Sequence, residues 1–500
     1  MLITDTLLLD YKRCSRRAFL NIHGDLTKQE PKRDFLNKLR QESQRHIASV
    51  LDTYYPYYEK VSILQTSSKE RAKATEVLMQ QGVDCIYQGQ LWVDAHTLTS
   101  WDCSENPEMT LPSGYDYLGK PHLLIKQPGL SKFGNWSYYP VSIHLGRKAK
   151  PEYRLMATFY AQLLGIIQET PPPNPELIVR PLKQSWVDIG EWLPKLEFIL
   201  DECVAVLETR GEPEVFISRQ RCSLCPWYGH CYAIAKSQQH LSLVPGVTPN
   251  RYKSLQELGV MTTESLATAN SDSLEELIGT ELGNKLQLQA RSIVHNQPIP
   301  RPQHEYNSGE ILVNQTIELY FDIEAEPERN LDYLLGVVVV NRVNQTQTFY
   351  PLLAETPQEE GVIWQQFLEL VHTYDQAPIF HFSDYEKDTI KRLGNLYQTP
   401  RFEIEHLLSR FVDLHRCVIT SVIFPVESYS LKSLANWLGF HWRDAGISGD
   451  QCVCWYDQWL STGDRSFLSS ILRYNEDDCL ATLHLKNWLV EFFSKIEFSS

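Results

Sequence analysis

Four acidic residues in the last third of the chain carry its clearest chemistry. In IELYFDIEAE, Asp322 and Glu324 stand two apart in a stretch that alternates like a strand, so both side chains point to one face while Phe321 and Ile323 point into a core. Two carboxylates on one face repel unless a cation lies between them. Hard divalent ions with oxygen ligands, Mg²⁺ or Mn²⁺, meet that need. Near the C-terminus, in SILRYNEDDCLATLHL, Tyr474 and Asp478 are four apart in a stretch of helical spacing, hence one turn apart on one face. Between these elements lies HFSDYEKDTIKRL, where Glu386 opens a helix after the strand-like APIFHF. A D-x-E pair alone is common on strand edges, and acids at a helix start are favoured by the helix dipole. The order of the set makes it specific: acid pair on a strand, middle acid at a helix start, Tyr-x₃-Asp on a last helix. Asp413, after an apolar pair, reads as a structural aspartate.

A second set is sulfur-based. Cys222 and Cys225 form a C-x₂-C pair, and Cys231 follows after five residues, all within RCSLCPWYGHC. The chain has 11 cysteines, an odd count, and its start, MLITDTLLLDYKRCSRR, puts the basic cluster after the apolar stretch. A secretory signal has the opposite order, so a cytoplasmic protein is expected, with reduced thiols serving as metal ligands rather than disulfides. A closed site needs a fourth ligand. Cys14, in YKRCSRRAFL, is the best candidate and His230 its rival; spacing alone leaves zinc and iron–sulfur both open.

These residues need several domains to position them. Five hundred residues exceed one ordinary core, and 43% hydrophobic with 22% charged residues is ordinary globular composition. Apolar runs such as LLGVVVV fall well short of the ~20 residues of a membrane span, so no membrane association is expected. A net charge of −15 argues against indiscriminate coating of nucleic acid, yet basic residues crowd positions 12–45 and 120–154, as solvated faces or as a phosphate-tracking groove. An α/β multidomain architecture is expected. Residues 1–235 mix helices with strands, 240–298 read as short helices joined by turns, 299–314 form a Pro-containing linker, and 315–495 form a domain of strands closed by helices. In the middle region, LVPGVTPNRYKSLQELGV resembles a helix-hairpin-helix element, whose turn offers backbone N–H groups to a phosphate; a plain helical bundle is the alternative.

FDIEAE, HFSDYE and YNEDDCLAT resemble the three motifs of the DEDD exonuclease superfamily, in its tyrosine-bearing subgroup, and 411–444 resembles the middle of a YprB-like ribonuclease H-like domain. The resemblance implies a mixed sheet flanked by helices, with Asp322, Glu324, Glu386 and Asp478 as Mg²⁺ or Mn²⁺ ligands in a two-metal site. Tyr474 would orient the attacking water. One departure is that the middle acid is Glu386 where the wider superfamily has Asp. One early cysteine plus a distant C-x₂-C-x₅-C set resembles the pattern of RecB-like nucleases, which implies a restriction-endonuclease-type N-terminal domain holding a 4Fe–4S cluster on Cys14, Cys222, Cys225 and Cys231, with Zn²⁺ as the alternative.

That domain's own catalytic motif departs from the family. His46 suits the family's early histidine, but His122 stands where an aspartate is expected, and Ser142-Ile-His144 stands where Asp/Glu-x-Lys is expected. The expectation is a degenerate former site that has lost cleavage and keeps a structural or nucleic-acid-holding role; convergence of the three histidines on a transition metal is less favoured. Trp101, Trp136, Tyr138 and Tyr139 are candidates for base stacking, against burial in a core. The chain thus reads as a metal-dependent nuclease, a 3′→5′ exonuclease on single-stranded DNA or RNA. The alternative is a non-catalytic nucleic-acid-binding or scaffold protein with an Fe–S cluster. Neither a Walker-type phosphate loop nor a nucleophile-elbow serine is present.

Overall fold

The computed structural model describes the chain except residues 32, 62–66, 101–110, 302–313 and 498–500. Trp101 and most of the expected linker over 299–314 therefore lie outside the described residues. The chain is a multidomain α/β protein that divides into two compact units, Met1–Tyr232 and Ala233–Ser500.

The first unit is built on a mixed six-stranded sheet. Its order is Glu59–Lys60, Cys85–Tyr87, Leu123–Ser131, Gly134–His144, Glu176–Val179 and Lys183–Trp186. Gly134–His144 and Glu176–Val179 run parallel, and the helix Pro151–Gln168 makes the crossover between them. That helix is apolar nearly all round, with Phe159, Leu163 and Leu164 fully buried, as a helix inserted into a core must be. A smaller sheet pairs Leu2–Thr4 with Asp116–Gly119, and the latter with Leu91–Val93. Tyr138 is fully buried and donates its hydroxyl to the Val83 carbonyl at 2.7 Å, so it is a core residue and not a stacking platform.

The second unit holds a five-stranded sheet in the order Thr346–Leu353, Leu331–Asn341, Ile317–Glu326, Ile379–His381 and Phe411–Asp413. The first three strands are antiparallel and the last two join parallel. Leu331–Asn341 is buried along almost its whole length, as expected of a strand covered on both faces. The helix Glu360–Thr373 covers one side, packing Trp364 and Phe367 against Phe321, whereas the 33-residue helix Arg465–Glu497 runs across the other. The short helices between Pro249 and His295 belong to this same unit. Gln289 donates to the Phe424 carbonyl at 2.7 Å and accepts from Tyr429 at 2.7 Å, which ties them to the 422–429 segment. Asp413 caps the helix Leu414–Ser421 by accepting from the Arg416 amide at 3.2 Å, a structural role.

Candidate functional site

Asp322 and Glu324 lie on the strand Ile317–Glu326, on the face opposite Phe321 and Ile323, both of which belong to the core. The helix Arg465–Glu497 brings Asp478 over that face. Ligand oxygens of Asp322, Glu324 and Asp478 all lie within 4.8 Å of one another, and among the described residues no other trio of potential ligands does so. The helix begins nine residues before Tyr474, so these acids sit well inside it and the helix dipole does not account for them.

Burial raises all three carboxyls. Asp322 is held well above the usual carboxylate range first by burial and then by the charges of Asp478, Glu324 and Glu386. Burial and Asp478 do the same to Glu324. Asp478 is pushed up to about 7 by burial, although a hydrogen bond from Trp442 and the charge of Lys432 pull the other way. Buried like charges of this kind are held apart or neutralised by protons or cations.

Each acid has its own anchor. Asn475 Nδ2 donates to Asp322 Oδ2 at 2.8 Å, and Trp442 Nε1 donates to Asp478 Oδ1 at 2.8 Å. Beside Asp478, Asp477 accepts the backbone and side chain of Arg443 at 2.9 and 2.8 Å, which clamps the 440s loop to the helix. Lys432 lies over the rings of Trp442 (5.5 Å) and Tyr474 (5.9 Å) and donates to the Ile447 carbonyl. Tyr474 packs on Asp478 and hydrogen-bonds it, and burial keeps its phenol protonated. Glu386, the third residue of the helix Asp384–Leu396, is buried near enough to act on Asp322, but its carboxylate lies outside the 4.8 Å trio. It accepts from Ser383 Oγ at 3.1 Å.

Sequence patterns miss Gly336, Asn475, Trp442 and Lys432. Gly336 pairs directly with Asp322, and a Cβ there would sit 1.6 Å from Asn475 Oδ1, so only glycine leaves room for the side chain that holds Asp322. Asn475 is legible in part, because it stands three residues before Asp478 on one helical face.

In the first unit, Cys14, Cys222, Cys225 and Cys231 line one pocket together with Arg13, Arg16, Arg17 and Arg221; His230 is not among its lining residues. No three of these sulfurs close to within 4.8 Å, whereas a tetrahedral zinc with bonds of about 2.3 Å needs sulfurs roughly 3.8 Å apart. The Ser218 amide donates to Cys222 Sγ at 3.3 Å. Burial raises Cys222, Cys225 (to about 11) and Cys231, while Arg17 acts against this at Cys225 and Arg16 at Cys231.

His122 and His144 also come together, with ring centroids 5.9 Å apart, and His46 is close enough to lower both. Their nitrogens do not form a ligand trio. His122 Nδ1 accepts from the Ile143 amide at 3.1 Å, which leaves the proton on Nε2 and removes that atom as a metal ligand. Burial pushes His122 down to about 4 and His144 to about 3, so both are neutral imidazoles. Ser142 is buried beside them.

Residues 319–490 match the family model RNase_H_2, of the RNase_H superfamily, and this span contains Asp322, Glu324, Glu386, Tyr474 and Asp478. No curated protein matches the chain. The second unit therefore carries a ribonuclease H-like domain over residues 319–490.

Proposed function

We propose that the chain is a metal-dependent nuclease, acting as a 3′→5′ exonuclease on single-stranded DNA or RNA through the acidic cluster of its second unit. The observation that carries this reading is the packing of Asp322, Glu324 and Asp478 into one 4.8 Å group under burial that raises every one of them. An arrangement so costly without a cation fits one with a cation. Asp322, Glu324 and Asp478, joined by Glu386, would hold Mg²⁺ or Mn²⁺. Divalent ions so held supply charge neutralisation at the phosphodiester and activation of water.

The chain's own groups do the rest. Asn475 and Trp442 fix the orientation of Asp322 and Asp478. The Tyr474 hydroxyl, protonated and beside Asp478, is placed to orient an incoming water by donating or accepting one hydrogen bond. Lys432 supplies a positive charge at the edge of the cluster.

In the first unit, the four cysteines that line one pocket are read as the ligands of a 4Fe–4S cluster, with Zn²⁺ as the alternative. Arg13 and Arg221 on its lining, beside Arg16 and Arg17 that already pair with Glu212 and Asp10, would offset part of the negative charge of a thiolate-bound cluster. The neutral histidines His46, His122 and His144 leave the former RecB-like site without carboxylates for Mg²⁺, so this unit serves nucleic-acid holding. The protein is read as cytoplasmic; no helix among the described residues is long and apolar enough to cross a membrane.

The test is degradation of 3′- and 5′-labelled single-stranded DNA and RNA with Mn²⁺, comparing wild type with Asp322→Ala/Asp478→Ala. Stepwise shortening from the 3′ end that disappears in the double variant is expected. Absence of wild-type activity on every strand would sink the catalytic reading in favour of a binding protein. Activity that survives in the variant would move the chemistry to the first unit. Iron and sulfide content of anaerobically purified protein, lost in Cys225→Ala, tests the cluster; zinc without sulfide would refute it.

A further inference from the structure

Glu386 is the odd member of the acidic set, and its surroundings are unusual. Ser383, three residues before it, has φ +132° and ψ 177°, a region that side chains other than glycine's rarely adopt. In that conformation its hydroxyl accepts from the Tyr385 amide at 3.2 Å and donates to Glu386 Oε2 at 3.1 Å. On the adjoining strand, His381 is fully buried, and neither of its ring nitrogens makes a hydrogen bond. Its Nδ1 lies 3.5 Å from the same oxygen, Glu386 Oε2. A fully buried imidazole without partners is costly, and a strained serine is costly too. Both costs fall at one carboxylate oxygen.

We propose that Ser383 and His381 are positioning residues that anchor Glu386 by Oε2, leaving Oε1 as the oxygen presented to a divalent cation at the acidic cluster. This rests on the metal-nuclease reading above and deepens it, because it assigns two residues that set how tightly the ion nearest Glu386 is held. His381 donates from Nδ1 as the carboxylate turns toward its ligand position, and the Ser383 hydroxyl limits how far it turns. An ordinary helix cap, with Ser383 at the N-cap and Glu386 three residues on, accounts for the Tyr385 contact and for the serine lying near Glu386, but not for the unpartnered histidine facing the same atom.

The experiment measures Mn²⁺ binding to the full-length protein by calorimetry, with thermal unfolding of each variant alongside. Ser383→Gly is the informative change, since glycine adopts φ +132° without strain. Its melting temperature should hold or rise, while the weakest resolved Mn²⁺ step should loosen by ~10–100-fold, the usual loss when a ligand's supporting group is removed. His381→Phe, which keeps the ring on Phe411 but removes the donor, should show the same loosening, and His381→Asn should restore part of it. Asp322→Ala is the control and should abolish binding. A folded Ser383→Gly protein that binds Mn²⁺ like wild type, with Asp322→Ala still inactive in binding, would overturn the proposal and leave the metal reading standing. Wild-type protein that binds no Mn²⁺ would overturn both.

Discussion

Replacing Gly336 with alanine tests the packing that aims Asp322. Gly336 stands directly across the sheet from Asp322, and the fully buried Asn475 fills the space above it. An added Cβ would come to 1.6 Å from Asn475 Oδ1, 2.7 Å from its Cγ and 3.2 Å from Phe349. The first distance is impossible, so Asn475 must turn away or the long helix must move. Turning away breaks the 2.8 Å bond to Asp322 Oδ2 and leaves buried polar groups unsatisfied, a cost of about 1–3 kcal/mol. Overpacking adds about 1–3 kcal/mol. Gly336→Ala should therefore lose roughly 2–6 kcal/mol in urea unfolding, together with a measurable part of its Mn²⁺ affinity. Asn475→Ala provides the internal control, because it removes the obstructing amide. The double variant should be close to Asn475→Ala alone, with a coupling energy above about 1 kcal/mol. Strictly additive effects, or a Gly336→Ala protein within about 0.5 kcal/mol of wild type, would refute the close-approach account.

Two further outcomes follow from buried groups away from the acids. His122 and His144 have folded values depressed to about 4 and about 3, so below about 6.5 the unfolded chain takes up protons that the folded first unit refuses. Their contribution to stability is complete above about 6.5 and is lost as pH falls through that value toward about 4; His144→Phe, which keeps a ring on Tyr153 at 3.8 Å, should flatten the urea midpoint over that window, and an unchanged slope would count against it. In the second unit, Lys486 and Glu318 are both fully buried, with Nζ 2.7 Å from Oε1, while Arg342 engages Oε2 at 2.6 Å. Lys486→Met should cost about 3–5 kcal/mol by leaving a half-compensated carboxylate, Lys486→Met/Glu318→Gln should regain part of it, and a loss below about 1 kcal/mol would mean that Arg342 alone suffices.

Much of the site is legible in the amino-acid sequence alone. The two-residue alternation of IELYFDIEAE puts Asp322 and Glu324 on one face of a strand, and that strand spans Ile317–Glu326. Helical spacing puts Tyr474 and Asp478 one turn apart, and the clustering of Cys222, Cys225 and Cys231 points to a shared ligand. These are local features: a period of two or 3.6 fixes which side chains share a face whatever the rest of the chain does. Tertiary structure decides which faces meet. It sets Asp478 against Asp322, puts Asn475 above Gly336 and swings Trp442 onto Asp478, contacts between segments 36 to 156 residues apart in the chain. It also leaves Glu386 outside the tight trio, draws Cys14 into the pocket in place of His230, and decides between the two fates open to Tyr138, base stacking and core burial, in favour of the core. Periodicity carries no information about which elements pack together, because that is settled by the burial of whole faces and by where a missing Cβ lets another side chain in.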